Sequence, residues 1–596
     1  MSGPVAPSGS HGTKVPPTTA LVDGRVAWVA ALAAGLGLAA GFAAEALMRL
    51  IGLVTNLAFH HRFSMAFGSP AGNHLGWKLL FVPVAGGVVV GFMARFGSKA
   101  IRGHGIPEAM EQVLLNESRI PARITLLKPL SAAIAIGTGG PFGAEGPIIA
   151  TGGALGSLLG QFLPVSAAER KTLLAAGAAA GMAATFGSPV AAVLLAVELL
   201  LFELRPKSLI PVALACVVAA GVRFGLHGVR PIFPMAPLGL PSGLALGLYV
   251  ALGGLVGLVS VGVTQAVYWV EDGFERLPLH WMWWPALGGL VVGAVGLAVP
   301  ATLGVGYDNI EAILGGRMLA ATLLVLCLAK FGSWAVALGS GTSGGTLAPL
   351  FTIGGALGAL LGTLLAQAFP HAGVDPRMCA LVGMAAIFAG AARCLLTSAV
   401  FAFEVTLQPL GLLPLVGGCA SAYLIAAFVM RQSIMTEKLA RRGIRVPMEY
   451  PADYLDQMLV RDHATREVRV LNAWDTVESV RAWLASGAPG TAHQGFPVLD
   501  EARRPIGLLM GRTLSDPAHA GHQQIGLLIT RPVAVALEGN SLREAADHMV
   551  RERVGRLPVV AADGTLTGIL TRSDLLKAHG SRLRASGEDD SRDPDL

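Results

Sequence analysis

The stretch Gly137–Gly160, GTGGPFGAEGPIIATGGALGSLLG, aligns without a gap on Gly339–Gly362, GSGTSGGTLAPLFTIGGALGALLG. The offset is 202 residues (339 − 137), and 12 of the 24 positions are identical. The same offset sets GMAATF (181–186) against GMAAIF (383–388). With four more residues inserted, AVLLAVEL meets SAVFAFEV, so that Glu198 pairs with Glu404. Three blocks in nearly one register mean that the apolar part of the chain is two homologous halves. Both aligned stretches are apolar runs interrupted by glycine and proline. Only the first holds an acid, Glu145, on backbone that cannot yet be helix.

Composition identifies the solvent that these halves face. Of 596 residues, 53% are apolar and 14% charged, and the mean hydropathy is +0.61; a soluble domain carries about 25% charge. Pro231–Val270, Phe331–Val374 and Thr172–Val197 contain no Asp, Glu, Lys or Arg. A spanning helix needs about 20 apolar residues, so the chain is read as a polytopic membrane protein in a lipid bilayer. Residues 1–20 are rich in Pro, Gly, Ser and Thr and lack the apolar core of a cleavable signal peptide, so 1–22 is expected to be a disordered tail. Arg95, Lys99 and Arg102 follow the second apolar span, whereas the 58–76 loop carries only Arg62. The positive-inside rule then places the 95–104 loop and both termini in the cytoplasm.

The five cysteines, Cys216, Cys327, Cys379, Cys394 and Cys419, lie in apolar segments without metal-ligand spacing and read as buried thiols. The net charge of +6 is accounted for by cytoplasmic loops, so no nucleic-acid partner is expected. No nucleophile–base pairing or metal-ligand spacing points to an enzyme.

Repeated halves with glycine- and proline-broken helices are the pattern of transporters whose half-helices aim their N-termini at a site near mid-membrane. The first turn of a helix has free N–H groups and about half a positive charge. Converging ends therefore make a place for an anion. GAEGP (143–147) and GGTLAP (344–349) each end in a proline followed by a long apolar run, and GHGIP (103–107) is a third such stretch. Glu145 beside a helix N-terminus becomes a tethered competitor for the permeating anion, which protonation would release.

These three segments resemble the signatures of the chloride channel and chloride–proton antiporter (CLC) family, in order, over residues 25–445. The resemblance implies an all-α membrane domain at 23–445 with two inverted repeats and about eighteen helical segments. It implies a homodimer with one pore per subunit, in a bacterial inner membrane, carrying chloride or another small anion. It implies Glu145 as the gating carboxylate. The filter would comprise Gly103, His104, Gly105, Ile106, Pro107, Gly143, Ala144, Gly146, Pro147, Gly345, Thr346, Leu347, Ala348, Pro349 and Met435.

Several positions depart from the family pattern. His104 stands for the central serine, Ala144 for the arginine of the second signature, Leu347 for an aromatic and Met435 for a tyrosine. His104 either contacts the anion or turns away to cap its helix. The internal acid of the antiporters falls, counting from Pro189, on Leu199. Glu203, one turn further along, is expected on the Leu199 face, and it or His104 could relay protons. A passive, voltage- or pH-gated channel is the simplest reading; a proton-coupled chloride or fluoride antiporter with a non-standard proton path is the alternative. Glu198 and Glu404 are expected to be structural or vestibule charges. A cation transporter fits poorly, since helix N-termini repel cations and no intramembrane Asp cluster is present.

From residue 446 the sequence becomes polar, and 457–580 alternates short strand-like runs with amphipathic helices. It resembles a tandem pair of α/β cystathionine-β-synthase (CBS) domains, the first at about 457–520 and the second at about 521–580, with a disordered tail over 581–596. GILTRSD (568–574) fits the nucleotide-contacting pattern of such domains, which would put Thr571 on phosphate and Asp574 on ribose hydroxyls. GLLMGRTLSD (507–516) lacks that pair. The expectation is one adenine nucleotide site at most, against a purely structural pair, with no cofactor required and no metal.

Overall fold

The computed structural model describes residues 13–14, 23–444, 446–447 and 454–585. The chain divides into two compact units, Leu21–Tyr450 and Pro451–Leu596 together with Met1–Ala20.

The larger unit is all-helical. Its first half holds α1 (Gly24–His60), α2 (Gly76–Gly97), α3 (Ile106–Leu115), α4 (Ile124–Gly137), α5 (Glu145–Phe162), α6 (Ala167–Phe186), α7 (Pro189–Leu201) and α8 (Pro206–His227). The second holds α9 (Gly243–Glu275), α10 (Trp281–Ala298), α11 (Tyr307–Leu314), α12 (Ala320–Gly339), α13 (Leu347–Ala368), α14 (Pro376–Ala392), α15 (Leu395–Thr406) and α16 (Leu412–Val429), and α17 (Glu437–Arg441) follows. Among the described residues, eight helical spans are long and apolar enough to cross a membrane.

The repeat seen in the sequence governs where helices begin and end. α4 and α12 end 202 residues apart (339 − 137), and α5 and α13 begin at that spacing (347 − 145). The spacing is 206 at the ends of α6 and α14 (392 − 186), and at the starts of α7 and α15 (395 − 189) and of α8 and α16 (412 − 206). Local chemistry sets the boundaries. Ser166 and Glu169 cap α6 reciprocally, the Glu169 N–H donating to Ser166 Oγ at 3.2 Å and the Ser166 N–H to Glu169 Oε2 at 2.7 Å. Asp23 and Ser242 cap α1 and α9 with single side-chain acceptors.

Packing repeats as well. α5 lies on α6 through Gly152 and Gly156, where a Cβ would collide with the carbonyls of Gly177 and Leu173. α13 lies on α14 through Gly354 and Gly358, which meet the carbonyls of Gly383 and Cys379 in the same way. In lipid there is little hydrophobic drive between helices, so close backbone approach through small residues does the packing. Four cysteines are buried and Cys327 is partly buried, and all five are free thiols.

The smaller unit contains two copies of one motif. β1 (Leu471–Asn472) pairs parallel with β2 (Gly495–Leu499), and β2 pairs antiparallel with β3 (Pro505–Met510). β4 (Ala536–Leu537), β5 (Arg556–Val560) and β6 (Leu566–Thr571) repeat that order. α18 (Tyr454–Gln457) and α19 (Val460–His463) precede β1, α20 (Val477–Ala485) joins β1 to β2 and α21 (Gly511–Leu514) follows β3. In the second copy α22 (Leu542–Arg551) joins β4 to β5, and α23 (Arg572–Ala585) follows β6.

The two copies exchange core residues. Val460 packs into the core of the second copy, while Ile525 and Leu528 pack into that of the first. Each core is completed by the segment preceding the other copy, an exchange that a linear reading cannot show. α23 runs five residues past the expected start of the C-terminal tail, and the rest of that tail lies outside the described residues. Most of the expected N-terminal tail lies outside them too. Lys14, however, pairs beside β4: its N–H donates to Val533 O at 3.0 Å, and Val535 N–H donates to Lys14 O at 3.1 Å.

Substituting Gly152→Leu or Gly354→Leu is expected to cost at least ~3 kcal/mol, because backbone rather than a movable side chain would have to yield. Gly35→Leu, where a Cβ meets nothing within 4 Å, should be neutral. Size-exclusion profiles and thermal unfolding in detergent check both.

Candidate functional site

Three backbone segments converge. Gly143 and Gly345 exchange hydrogen bonds, N–H to O at 3.2 and 2.9 Å, which sets GAEGP and GGTLAP face to face. Gly103 bridges to Ser343. A Cβ at Gly146 would collide with the His104 carbonyl, and one at Gly105 with the Gly146 carbonyl. Gly105, at φ +95°, turns the chain into α3, a conformation for which an L side chain pays strain. The structure therefore brings Gly103–Pro107, Gly143–Pro147 and Gly345–Pro349 together. Met435 is also buried, but Ile434 rather than Met435 lines the cavity on the His104 side.

Glu145 is fully buried at the first residue of α5. Its Oε1 accepts from the Tyr307 hydroxyl at 2.8 Å. Its Oε2 has no hydrogen-bond partner, and the carboxylate lies within electrostatic reach of its own backbone N–H and of the Ala348 N–H at the start of α13. Ala144 and Thr346, which precede these two helices, make no side-chain caps. Thr346 Oγ1 and His104 Nδ1 are buried without a hydrogen-bond partner. His104 does not cap α3: the Gly105 N–H donates to Glu108 Oε2 at 2.7 Å instead. The sequence offered no signal for Tyr307, which comes from α11 and is enclosed by Phe67, Phe186 and Phe233 at 5.8–6.1 Å between ring centres.

Two lysines at the repeat offset (330 − 128 = 202) brace the site. Lys128 Nζ donates to Ile101 O and Gly103 O, both at 2.8 Å, and Lys330 Nζ donates to Thr302 O and Gly304 O at 3.0 and 2.9 Å. Each ties down the loop before a short helix, α3 or α11.

The repeat-paired acids act across the halves. Glu198 accepts from Leu396 N–H, Thr397 N–H and Thr397 Oγ1 at 3.1, 3.0 and 2.6 Å, at the start of α15. Glu404 accepts from Val190 and Ala191 N–H at 3.1 and 2.8 Å, at the start of α7. Both are structural caps, as expected. Glu203 corrects its expectation. The last turns of α7 are π-helical and Phe202 adopts a left-handed φ of 52°, so Glu203 lies past the helix rather than on the Leu199 face. Its carboxylate accepts from Ser208 Oγ at 2.6 Å. Leu199 is buried.

Comparison with known proteins agrees with this geometry. The sequence pattern described as voltage gated chloride channel matches residues 85–427, more than half of the chain. The chain belongs to the CLC family. It is 34% identical over 525 residues to chloride channel protein CLC-f of Arabidopsis thaliana, covering 84% of this chain and 62% of that one. It is 32% identical over 381 residues to the H(+)/Cl(-) exchange transporter ClcA of Salmonella typhi, covering 61% and 79%. In fold it resembles a slow cyanobacterial Cl-/H+ antiporter, with a TM-score of 0.60 and 23% identity over 70% of this chain and 96% of that one. It also resembles a CLC-type fluoride/proton antiporter, with a TM-score of 0.56 and 22% identity over 69% and 97%. This CLC chain is accordingly an integral, multi-pass membrane protein of a family that transports anions.

The CBS pattern matches residues 525–581, the second copy. There Asp574 Oδ2 accepts from the Thr571 N–H and Oγ1 at 2.8 and 2.7 Å. In the first copy Met510 opposes Gly495 as Thr571 opposes Arg556. Met510 and Thr513 thus stand where the second copy has Thr571 and Asp574.

Glu198→Ala and Glu404→Ala should each destabilise the membrane unit by about 2 kcal/mol, since helix N–H groups lose a charged acceptor away from water. The Gln variants keep one accepting oxygen and should lose less. Thermal unfolding midpoints in detergent order the four variants.

Proposed function

We propose that this CLC protein conducts chloride or a similar small anion passively, with Glu145 as its gate. The observation that carries the reading is the position of the Glu145 carboxylate, buried where the ends of α5 and α13 meet. A carboxylate there holds the place of an anion, and protonating it removes its claim on the helix ends. Gly103–Pro107, Gly143–Pro147 and Gly345–Pro349 form the filter, with Thr346 Oγ1 and His104 Nδ1 as the side-chain atoms free to face the ion. Lys99 and Arg102 put the His104 cavity on the cytoplasmic side, with both termini, by the positive-inside rule. The unit of transport is a homodimer with a pore in each subunit.

Passive conduction is favoured by the acids around Leu199. Glu198 is committed to capping α15, Glu404 to capping α7, and Glu203 has left the Leu199 face. A proton does not cross an apolar stretch without a titratable group or a water wire. The second reading is proton-coupled exchange, favoured by the unbonded Nδ1 of His104 and by relatives named exchangers. The CBS unit takes one adenine nucleotide, at the second copy, where Asp574 Oδ1 stays available for ribose hydroxyls beside the Thr571 pairing.

Three measurements check this. In proteoliposomes the parent's anion efflux should rise as pH falls, while Glu145→Gln should be fast and independent of pH. A mutant that kept the parent's pH dependence would remove Glu145 as the gate. Under a chloride gradient the parent should move no protons; uphill proton movement in fixed proportion to chloride would establish exchange, and its loss in His104→Ala would assign the relay. Calorimetry on the full protein should find nucleotide binding at least tenfold weaker in Asp574→Ala, and unchanged binding would exclude that contact.

A further inference from the structure

Arg223, on α8, is half-buried, and among the described residues its guanidinium has no hydrogen bond or ion pair. A guanidinium presents five N–H donors, and leaving them unmet away from bulk water is costly. Arg223 lines a cavity of about 560 Å³ with Glu45, Arg49, Phe67, Thr185 and Tyr307. Glu45 is within electrostatic reach of Arg223, but its carboxylate is already engaged, by Arg49 at 2.6 Å and by His227 at 2.7 Å. The cavity therefore holds two arginines against one committed acid.

At the inner end of this cavity stands Tyr307, whose hydroxyl donates to Glu145. The cavity is also the mouth away from His104. Met65 to Phe67, which line it, precede α2, while Lys99, which lines the His104 cavity, follows α2. The 22 residues of that helix rise about 33 Å at 1.5 Å each, the thickness of a bilayer core. The two cavities thus reach the filter from opposite faces.

We propose that this cavity is a second anion site outside the filter, in which Arg223 holds a small monovalent anion next to Tyr307. The phenol has a single proton to donate. It binds Glu145 while the carboxylate occupies the filter and turns to the anion when the carboxylate leaves. The site thereby recruits anions on the 61–76 loop side and couples their arrival to release of Glu145. This proposal rests on the reading of Glu145 as the gate.

The test is current across planar bilayers, with chloride varied on one side at a time, and diffraction from bromide-soaked crystals. Arg223→Gln should raise the half-saturating chloride concentration roughly tenfold on the 61–76 loop side and leave the other side unchanged. Arg223→Lys should recover most of the loss. Tyr307→Phe should raise the same one-sided value several-fold. The Arg223→Gln effect should persist in a Glu145→Gln background, so that the two readings fail separately. A pH-dependent Glu145→Gln would strike the gate, whereas unchanged one-sided saturation in Arg223→Gln would strike the second site. In the parent, an anomalous bromide peak should lie between Arg223 and Tyr307. Bromide in the filter alone would overturn the proposal, whether or not the Gln variant folds.

Discussion

A helix that ends inside a bilayer leaves its first N–H groups without water, and each must find an acceptor from the protein or from a ligand. Among the described residues, the starts of α3, α5, α7, α13 and α15 are answered in two ways. α3 takes Glu108, α7 takes Glu404 and α15 takes Glu198, all fixed in place. Glu108 is held in turn by Lys438 at 3.2 Å. α5 and α13 have no side-chain cap, and the acceptor near them is Glu145. A structural end and a functional end differ in whether the acceptor can leave. The caps on α7 and α15 each come from the other half of the repeat, so the two halves cannot separate without exposing both ends. That locking is what keeps the uncapped pair aligned on one point.

The proposed gate depends on the repeat being imperfect at one position. Alignment of the halves sets Glu145 against Leu347. Two carboxylates facing each other across the filter would repel, and one would stay protonated or turn away. One acid and one leucine leave a single negative position, which on the proposed reading either the tether or a free ion would fill. Around that asymmetry the supports stay symmetric: Lys128 and Lys330 perform the same stitching, and the glycine contacts of α5 on α6 recur in α13 on α14. Each lysine donates to neutral carbonyls rather than to an acid, with Glu108 within electrostatic reach of Lys128 and Glu145 within reach of Lys330.

The repeat, the broken helices and the meeting of the signature segments were legible because they rest on backbone chemistry: glycine for approach, proline for a helix start, an acid where hydrocarbon was due. Reciprocal capping by Glu198 and Glu404 was legible only as a pairing in the alignment; which N–H groups they meet depends on how the halves interlock. Tyr307 was invisible because the residues around it, GVGYDN (304–309), resemble any loop, and its contact with the site is made only through Glu145, 162 residues away. Arg223 was invisible for the opposite reason, since a lone arginine near a helix end reads as an interfacial anchor. The placement of Glu203 failed because a uniform rotation per residue was carried through a segment that is π-helical and then left-handed.

The departures from the family signatures fall on one kind of atom. Ala144 and Leu347 bring no polar group to the site, and Met435 brings at most a weak thioether acceptor. What remains to meet an ion is backbone N–H, the Thr346 hydroxyl and the His104 ring. Backbone N–H groups at helix ends favour negative charge but discriminate little among small anions, because their spacing is fixed by helix geometry rather than by the ion. On the proposed reading, choice among anions would therefore fall to the two side chains. A hydroxyl repays dehydration best for a small, strongly hydrated ion. An imidazole, which can present a donor or an acceptor, makes the site depend on its own protonation. In the proposed filter the helices would set the sign and Thr346 and His104 the preference; these two stand on different segments, whose backbones approach closely because Gly146 and Gly345 lack side chains.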